Sequence, residues 1–152
     1  MTATNHVLTG ALIGASLHNP WLVLPVALSA HFVLDALPHF GIVNIRYEEL
    51  YFKVGLLVDM SIAALILALL VLLVHKQTWL IVSAGILCAS PDLMWLPQYM
   101  AANRHQPPPK LGIIATFHRR IQWFERPIGI VVEVAWCLAI LILLDAKLHI
   151  IR

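Results

Sequence analysis

The sequence predicts an all-α fold: an integral membrane bundle of about five helices, with an additional amphipathic helix lying in the interface. Three observations predict it. The 152-residue chain is 61% hydrophobic and only 12% charged, with mean hydropathy +0.85, whereas soluble domains are roughly 45–50% apolar and about a quarter charged. The run Val54–Val74 is apolar except for Asp59 and Ser61, and about 20 such residues cross a hydrocarbon core about 30 Å thick. Short polar or proline-bearing breaks separate the remaining apolar runs, as expected where helices reverse direction. The length suits one domain, residues 1–152. A formal charge of +2 without a long basic run argues against a nucleic-acid partner. Cys88 and Cys137 stand singly in apolar runs and read as packing residues. The first residues carry no Lys or Arg, so the cationic start of a cleavable signal is missing and the first helix is expected to stay.

Each element follows from local signals. Thr4 or Asn5 can cap a first helix over about 4–17, with Gly10 and Gly14 on one face for close packing. This helix is short for a full span. His18-Asn19-Pro20 turns the chain into a second helix over 21–37, which holds Pro25 and is ended by Pro38. Phe40 to Phe52 contains Arg46, Tyr47, Glu48, Glu49 and Tyr51, a polar connection with interfacial aromatics. The third helix covers 54–74 and the fourth, after His75-Lys76-Gln77-Thr78, covers 79–96. In 97–127 prolines and basic residues gather, while Ile113, Ile114, Phe117, Ile121 and Phe124 recur at helical spacing, the pattern of an interfacial helix. A fifth helix covers 128–144, leaving a short tail from Lys147 to Arg152.

If the helices alternate in direction, Arg46, Lys53, Arg104, Lys110, Arg119, Arg120 and Arg126 collect on one face and Lys76, Lys147 and Arg152 on the other. The positive-inside rule puts the first face, with the N-terminus, in the cytoplasm. The ligand-type residues sort the same way. His6, His39, Asp59, Asp92, His118 and Glu133 all fall toward the basic face, whereas His18, His75 and His149 fall at the opposite turns. His31, Asp35 and His39 are four residues apart, a spacing that drifts about 40° per step and keeps them on one helix face. A weak internal repeat points the same way: His6 to His39 and Asp59 to Asp92 are each 33 residues apart, and a proline precedes each second member. Imidazole and carboxylate in hydrocarbon are costly unless paired or bound to a cation. Mixed His and carboxylate ligands suit Zn²⁺, with Mn²⁺ or Fe²⁺ as alternatives, better than Mg²⁺ or Ca²⁺. The number of candidates allows one or two ions.

These residues resemble a known family. Thr4-Asn5-His6 with Thr9-Gly10-Ala11, His31-x-x-x-Asp35-x-x-Pro38-His39, Ser90-Pro91-Asp92 and Phe117-His118-Arg119-Arg120 are similar to motifs of the YdjM-like membrane-bound metal-dependent hydrolases. These are small bacterial inner-membrane proteins regarded as distant relatives of zinc-dependent phospholipase C. The resemblance implies metal ligation by His6, His31, Asp35, His39, Asp92 and His118. His31-x-x-x-Asp35 also looks like one ligand pair of the phospholipase C fold. The glutamate of that fold's second pair is absent, since Gln122 stands four residues after His118.

The expected activity is hydrolysis of a phosphoester or lipid-like substrate at the membrane surface. Asp59, Asp92 or Glu133 is expected as general base, and Arg119, Arg120 and Arg126 are expected to bind the substrate anion. Two other classes compete: a metal or proton conductor, which needs polar positions continuing to the far face, and a membrane protein whose polar cluster only fixes helix packing. Oligomeric state is not legible in the sequence.

Overall fold

The computed structural model describes residues 1–42 and 46–151, with side chains as far as Leu148. Positions 43–45 of the expected polar connection, the His149 side chain and Arg152 lie outside the described residues. The chain is helical throughout: α1 (Ala3–Ser16), α2 (Pro20–Ala36), α3 (Leu50–Leu73), α4 (Thr78–Ala89), a 3₁₀ stretch (Ser90–Trp95), α5 (Leu96–Asn103), α6 (Ile113–Ile121), a 3₁₀ turn (Pro127–Gly129) and α7 (Ile130–Ile151). Among the described residues no strand forms, and an isolated parallel bridge pairs His39 with Glu125.

Among the described residues three helical spans are long and apolar enough to cross a membrane: Leu50–Leu73, Thr78–Asn103 and Pro127–Leu148. At 1.5 Å per residue α3 reaches about 36 Å, but α1 only about 21 Å. α1 is therefore too short to cross alone, and α2, at 17 residues, is an apolar helix just shorter than the three spans. Instead α1 is the axis of the bundle, with ten of its fourteen residues buried and α2, α3, α4 and α7 packed around it. In contrast, only Ala63 and Leu70 of α3 are buried, leaving a helix that is apolar all round and exposed, as lipid requires.

Gly10 and Gly14 make the central contact possible. A Cβ on Gly10 would stand 2.3 Å from the Ala84 carbonyl oxygen, and one on Gly14 would stand 2.7 Å from Ile81 Cα. Small residues let α1 and α4 approach backbone to backbone, the usual solution where lipid supplies no hydrophobic drive between helices. Toward the far end the core is wholly apolar, built from Leu8, Ala11, Ala15, Leu70, Val74, Ile81, Ile140 and Leu144. There His18 Nδ1 meets Gln77 Oε1 at 2.9 Å, tying the α1–α2 turn to the α3–α4 turn.

The start of α1 lies inside the bundle and is capped by its neighbours. Its N-cap is Thr2 rather than the expected Thr4 or Asn5, and Thr2 makes no side-chain cap of its own. Asp59 of α3 accepts from the backbone N–H groups of Ala3 (2.8 Å) and Thr4 (3.0 Å) and from the Thr4 hydroxyl (2.6 Å). Glu133 of α7 accepts from Thr2 N–H (3.0 Å), the Thr2 hydroxyl (2.5 Å), Asn5 Nδ2 (2.9 Å) and Phe40 N–H (3.1 Å). The first N–H groups of any helix lack intrahelical partners, and negative charge is favoured beside them. Two membrane-spanning helices here supply both from outside.

The expected fourth helix is interrupted: α4 ends at Ala89, and the next six residues are 3₁₀. Pro91 cannot donate a backbone hydrogen bond, and the Ser90 hydroxyl instead donates to the Leu87 carbonyl at 2.9 Å. At the same end of the bundle Tyr47, Phe52, Trp95 and Tyr99 pack ring on ring, with centroids 5.3 to 6.4 Å apart, and pin the start of α3 to α5. Residues 97–127, expected as one interfacial segment, resolve into α5, an extended proline stretch and α6. The last helix runs to Ile151, seven residues beyond the expected 144.

Candidate metal centre

Four elements converge above the start of α1. His6 comes from α1 and His31 and Asp35 from successive turns of α2. Asp92 comes from the 3₁₀ stretch and His118 from α6. His6, His31 and Asp35 are fully buried, and His118 is 6% exposed.

One ligand atom from each of His6, His31, Asp35 and Asp92 lies within 4.8 Å of all the others. Asp35 is the hub. Its Oδ1 is 3.0 Å from His6 Nε2, and its Oδ2 is 2.7 Å from His118 Nε2 and 3.4 Å from His31 Nε2. Asp92 faces the same three nitrogens at 3.7 to 3.8 Å and, at 22% side-chain exposure, forms the open edge of the group. The His6 and His31 rings stack with centroids 4.1 Å apart. The N-terminal ammonium also reaches Asp35 Oδ1, at 2.5 Å.

Hydrogen-bond accounting shows that this set fits a cation. His31 Nδ1 lies 2.7 Å from the Cys88 carbonyl oxygen, which only accepts, so Nδ1 carries a proton and donates. In the neutral ring Nε2 then presents a lone pair to the cluster, the outer-shell arrangement that orients metal-binding histidines. That lone pair faces His118 Nε2 at 2.9 Å and Asp35 Oδ2 at 3.4 Å. Three imidazole nitrogens and two carboxylates thus converge; the Met1 ammonium and the Gln122 amide both fall on Asp35, while Asp92 faces ring nitrogens at 3.7 to 3.8 Å, a spacing that a shared proton or a cation would fill. Among the described residues His6 Nδ1 meets no hydrogen-bond partner.

The α6 helix closes the site from the interface. Its buried side gives His118, and Gln122 just beyond it donates to Asp35 Oδ2 at 3.0 Å. Gln122 therefore stands where the phospholipase C pattern has a glutamate, and its amide is turned to Asp35. Phe32 of α2 seats α6 through Phe117, with ring centroids 5.8 Å apart. Ile113, Ile114, Trp123 and Phe124 remain exposed on the other side, and the Trp123 indole donates to the Ala36 carbonyl at the end of α2 (3.0 Å). Arg119, Arg120 and Arg126, the expected anion-binding residues, are all exposed around this lid.

The structure separates other expected members from the cluster. His39 is buried, but α2 ends at Ala36. The three-step helical alignment with His31 and Asp35 therefore stops one step short, because Pro38 breaks the helix. His39 instead donates from Nδ1 to the Leu37 carbonyl at 2.8 Å and pairs its backbone with Glu125. Asp59 and Glu133, expected as general bases, spend their oxygens on the α1 cap. The weak repeat accordingly yields no equivalent pairs: His6 and Asp92 enter the cluster, while His39 and Asp59 do not. Glu125, unmarked in the sequence reading, stands half-buried beside His39. Burial holds its carboxyl above the ordinary value, partly offset by the His39 imidazole. The Cys88 carbonyl, a backbone group, carries no residue-type signal at all.

Compared with family models, curated proteins and solved structures, the chain matches none.

Proposed function

We propose that this protein is a membrane-embedded, metal-dependent hydrolase of phosphoesters, in keeping with the YdjM-like motifs. The convergence of His6, His31, Asp35 and Asp92 carries the reading. These four hold a divalent transition metal, Zn²⁺ by the ligand set, with Mn²⁺ or Fe²⁺ as the other fits. One ion suits the single group. When bound, it supplies Lewis-acid stabilisation of the phosphoryl charge and lowers the pKa of water.

The chain's own residues do the rest. Arg119, Arg120 and Arg126 draw the anionic phosphoester to the open edge of the cluster. Asp92, at that edge, takes the proton of the attacking water. The water oxygen bonds to phosphorus, the ester P–O bond breaks, and His118 passes a proton to the leaving alkoxide. Asp59 and Glu133 fix α1, and through it His6. The site face is cytoplasmic by the positive-inside rule, and the membrane is a bacterial inner membrane by the family resemblance.

A conductor of protons or metal ions fits less well. The core below the site is an unbroken apolar plug, and a relay needs polar steps through it. A helix-packing network is the remaining competitor, because a proton on His118 Nε2 also satisfies Asp35. Metal content of detergent-purified protein, measured for wild type and His31→Ala and paired with diester hydrolysis after chelation and Zn²⁺ or Mn²⁺ restoration, separates these readings. About one transition metal per chain, lost in the variant, with metal-restored turnover supports the hydrolase. Folded, metal-free protein that gains no thermal stability from added metal overturns it in favour of the network.

A further inference from the structure

The connection between the last two spans combines basic charge with exposed apolar side chains. Residues 104–126 join Thr78–Asn103 to Pro127–Leu148. They hold five basic residues, Arg104, Lys110, Arg119, Arg120 and Arg126, against one acidic residue, Glu125. Within them Ile113, Ile114, Phe117, Trp123 and Phe124 are 51 to 90% exposed. Every residue from Arg104 to Lys110 is exposed as well, so the entry to α6 lies on the surface.

At 100° per residue, Ile113, Ile114, Phe117 and Ile121 fall within one arc of α6, centred about a quarter turn from His118. Arg120 flanks this arc, and Arg119 stands on the opposite side. The helix therefore has two working faces. One carries His118 and, just beyond the helix end, Gln122 to Asp35, at 2.7 and 3.0 Å. The other leaves Ile113, Ile114 and Phe117 uncovered. Apart from the cluster, α6 packs chiefly on α2, with Phe117 against Phe32 and the nearby Trp123 indole on the Ala36 carbonyl.

Where the helix is tied decides what covers its apolar face. The five residues between Ile121 and Pro127 reach at most about 20 Å. This keeps α6 close to the end of a helix long and apolar enough to cross a membrane. The apolar phase within that reach is the bilayer, and cations beside an apolar stripe complement anionic headgroups.

We propose that α6 docks on the anionic lipid surface of the bilayer through Ile113, Ile114 and Phe117, flanked by Lys110 and Arg120, and that this docking holds His118 and Gln122 on Asp35. Metal affinity is then set by the lipid beside the protein. An anionic surface completes the cluster, and its removal lets His118 and Gln122 leave Asp35. The coupling rests on the metal centre of the proposed function, whereas the docking stands by itself.

The test compares full-length wild type with the double variant Ile113→Gln/Ile114→Gln, both changes being at exposed positions. Each protein is placed in vesicles of phosphatidylcholine, with or without phosphatidylglycerol. Zn²⁺ affinity is read by competition with an indicator dye. Depth is read from a nitroxide at Ile113→Cys, with Cys88→Ala and Cys137→Ala, by its accessibility to oxygen against a water-soluble nickel chelate. Vesicle charge concentrates Zn²⁺ equally for both proteins. With phosphatidylglycerol, wild type should bind Zn²⁺ about 10-fold more tightly than the variant, the scale of a lost outer-shell partner. Without it the gap should narrow. The nitroxide should be open to oxygen and shielded from nickel on the anionic vesicles. Equal affinities of the two proteins on phosphatidylglycerol overturn the coupling, and a nickel-accessible nitroxide there overturns the docking. If wild type binds no Zn²⁺ in either lipid, the metal reading fails, and the nitroxide alone decides the docking.

Discussion

Asp59 and Glu133 enter the bundle from α3 and α7 and accept hydrogen bonds from the backbone and side chains at the start of α1. Asp35 and Asp92, one turn of α1 away at His6, face three imidazoles whose nitrogens crowd within 4 Å of them. Both pairs are carboxylates in an apolar bundle, so both need compensation. The first pair finds it in fixed donors and becomes structure. The second faces three imidazoles: Asp35 also takes the Met1 ammonium and the Gln122 amide, while Asp92 stands 3.7 to 3.8 Å from the ring nitrogens. Residue type and depth do not distinguish the pairs. What distinguishes them is what stands opposite: the backbone N–H groups of the α1 start for one pair, and imidazole nitrogens that can take a proton or a cation for the other.

Six substitutions sharpen this contrast, from the largest effect to the smallest. Asp35→Ala and Asp92→Ala should abolish metal binding and hydrolysis, whereas Asp59→Ala and Glu133→Ala should retain the metal but lose stability. Hydrogen bonds to charged groups contribute about 1.5–3 kcal/mol each, so the latter two should show clearly lowered thermal midpoints in detergent. Loss of metal from Asp59→Ala at unchanged stability would erase the distinction. Gln122→Ala removes a donor that orients Asp35. Outer-shell changes of this kind cost about 10–100-fold in metal affinity, to be read by competition with a chelating indicator dye. His39→Ala should leave metal stoichiometry and affinity at wild-type values, since helix α2 has ended before that residue. A measurable loss there would return His39 to the ligand set.

Much of the fold was legible because its signals are local. Prolines at 20, 38 and 91 mark helix boundaries or breaks, and Gly10 and Gly14 announce a close helix contact that α4 supplies. The ligand cluster was legible for a different reason: polar residues in an apolar chain are few, and alternating helices fix their depth. Depth, however, gives no azimuth. Nothing near Asp59 or Glu133 in sequence reveals that each points at the start of α1, because a cap supplied by another helix is a long-range contact. The first helix was already too short in the sequence for a full span, but its role as a buried axis is a matter of long-range packing that no local signal carries. His39 failed on one local detail, the extended residue Leu37 that ends α2 and takes the next residues off the helical screw.

The burial of α1 has a consequence for how the protein is made. A helix of fourteen residues whose first N–H groups depend on Asp59 and Glu133 has no comfortable resting place in a bilayer before α3 and α7 are present. Unsatisfied backbone groups in hydrocarbon cost several kcal/mol each. The native seat of α1 therefore exists only once α3 and α7, which follow it in the chain, are in place. The His6 end of the cluster thus depends on chain segments more than a hundred residues downstream.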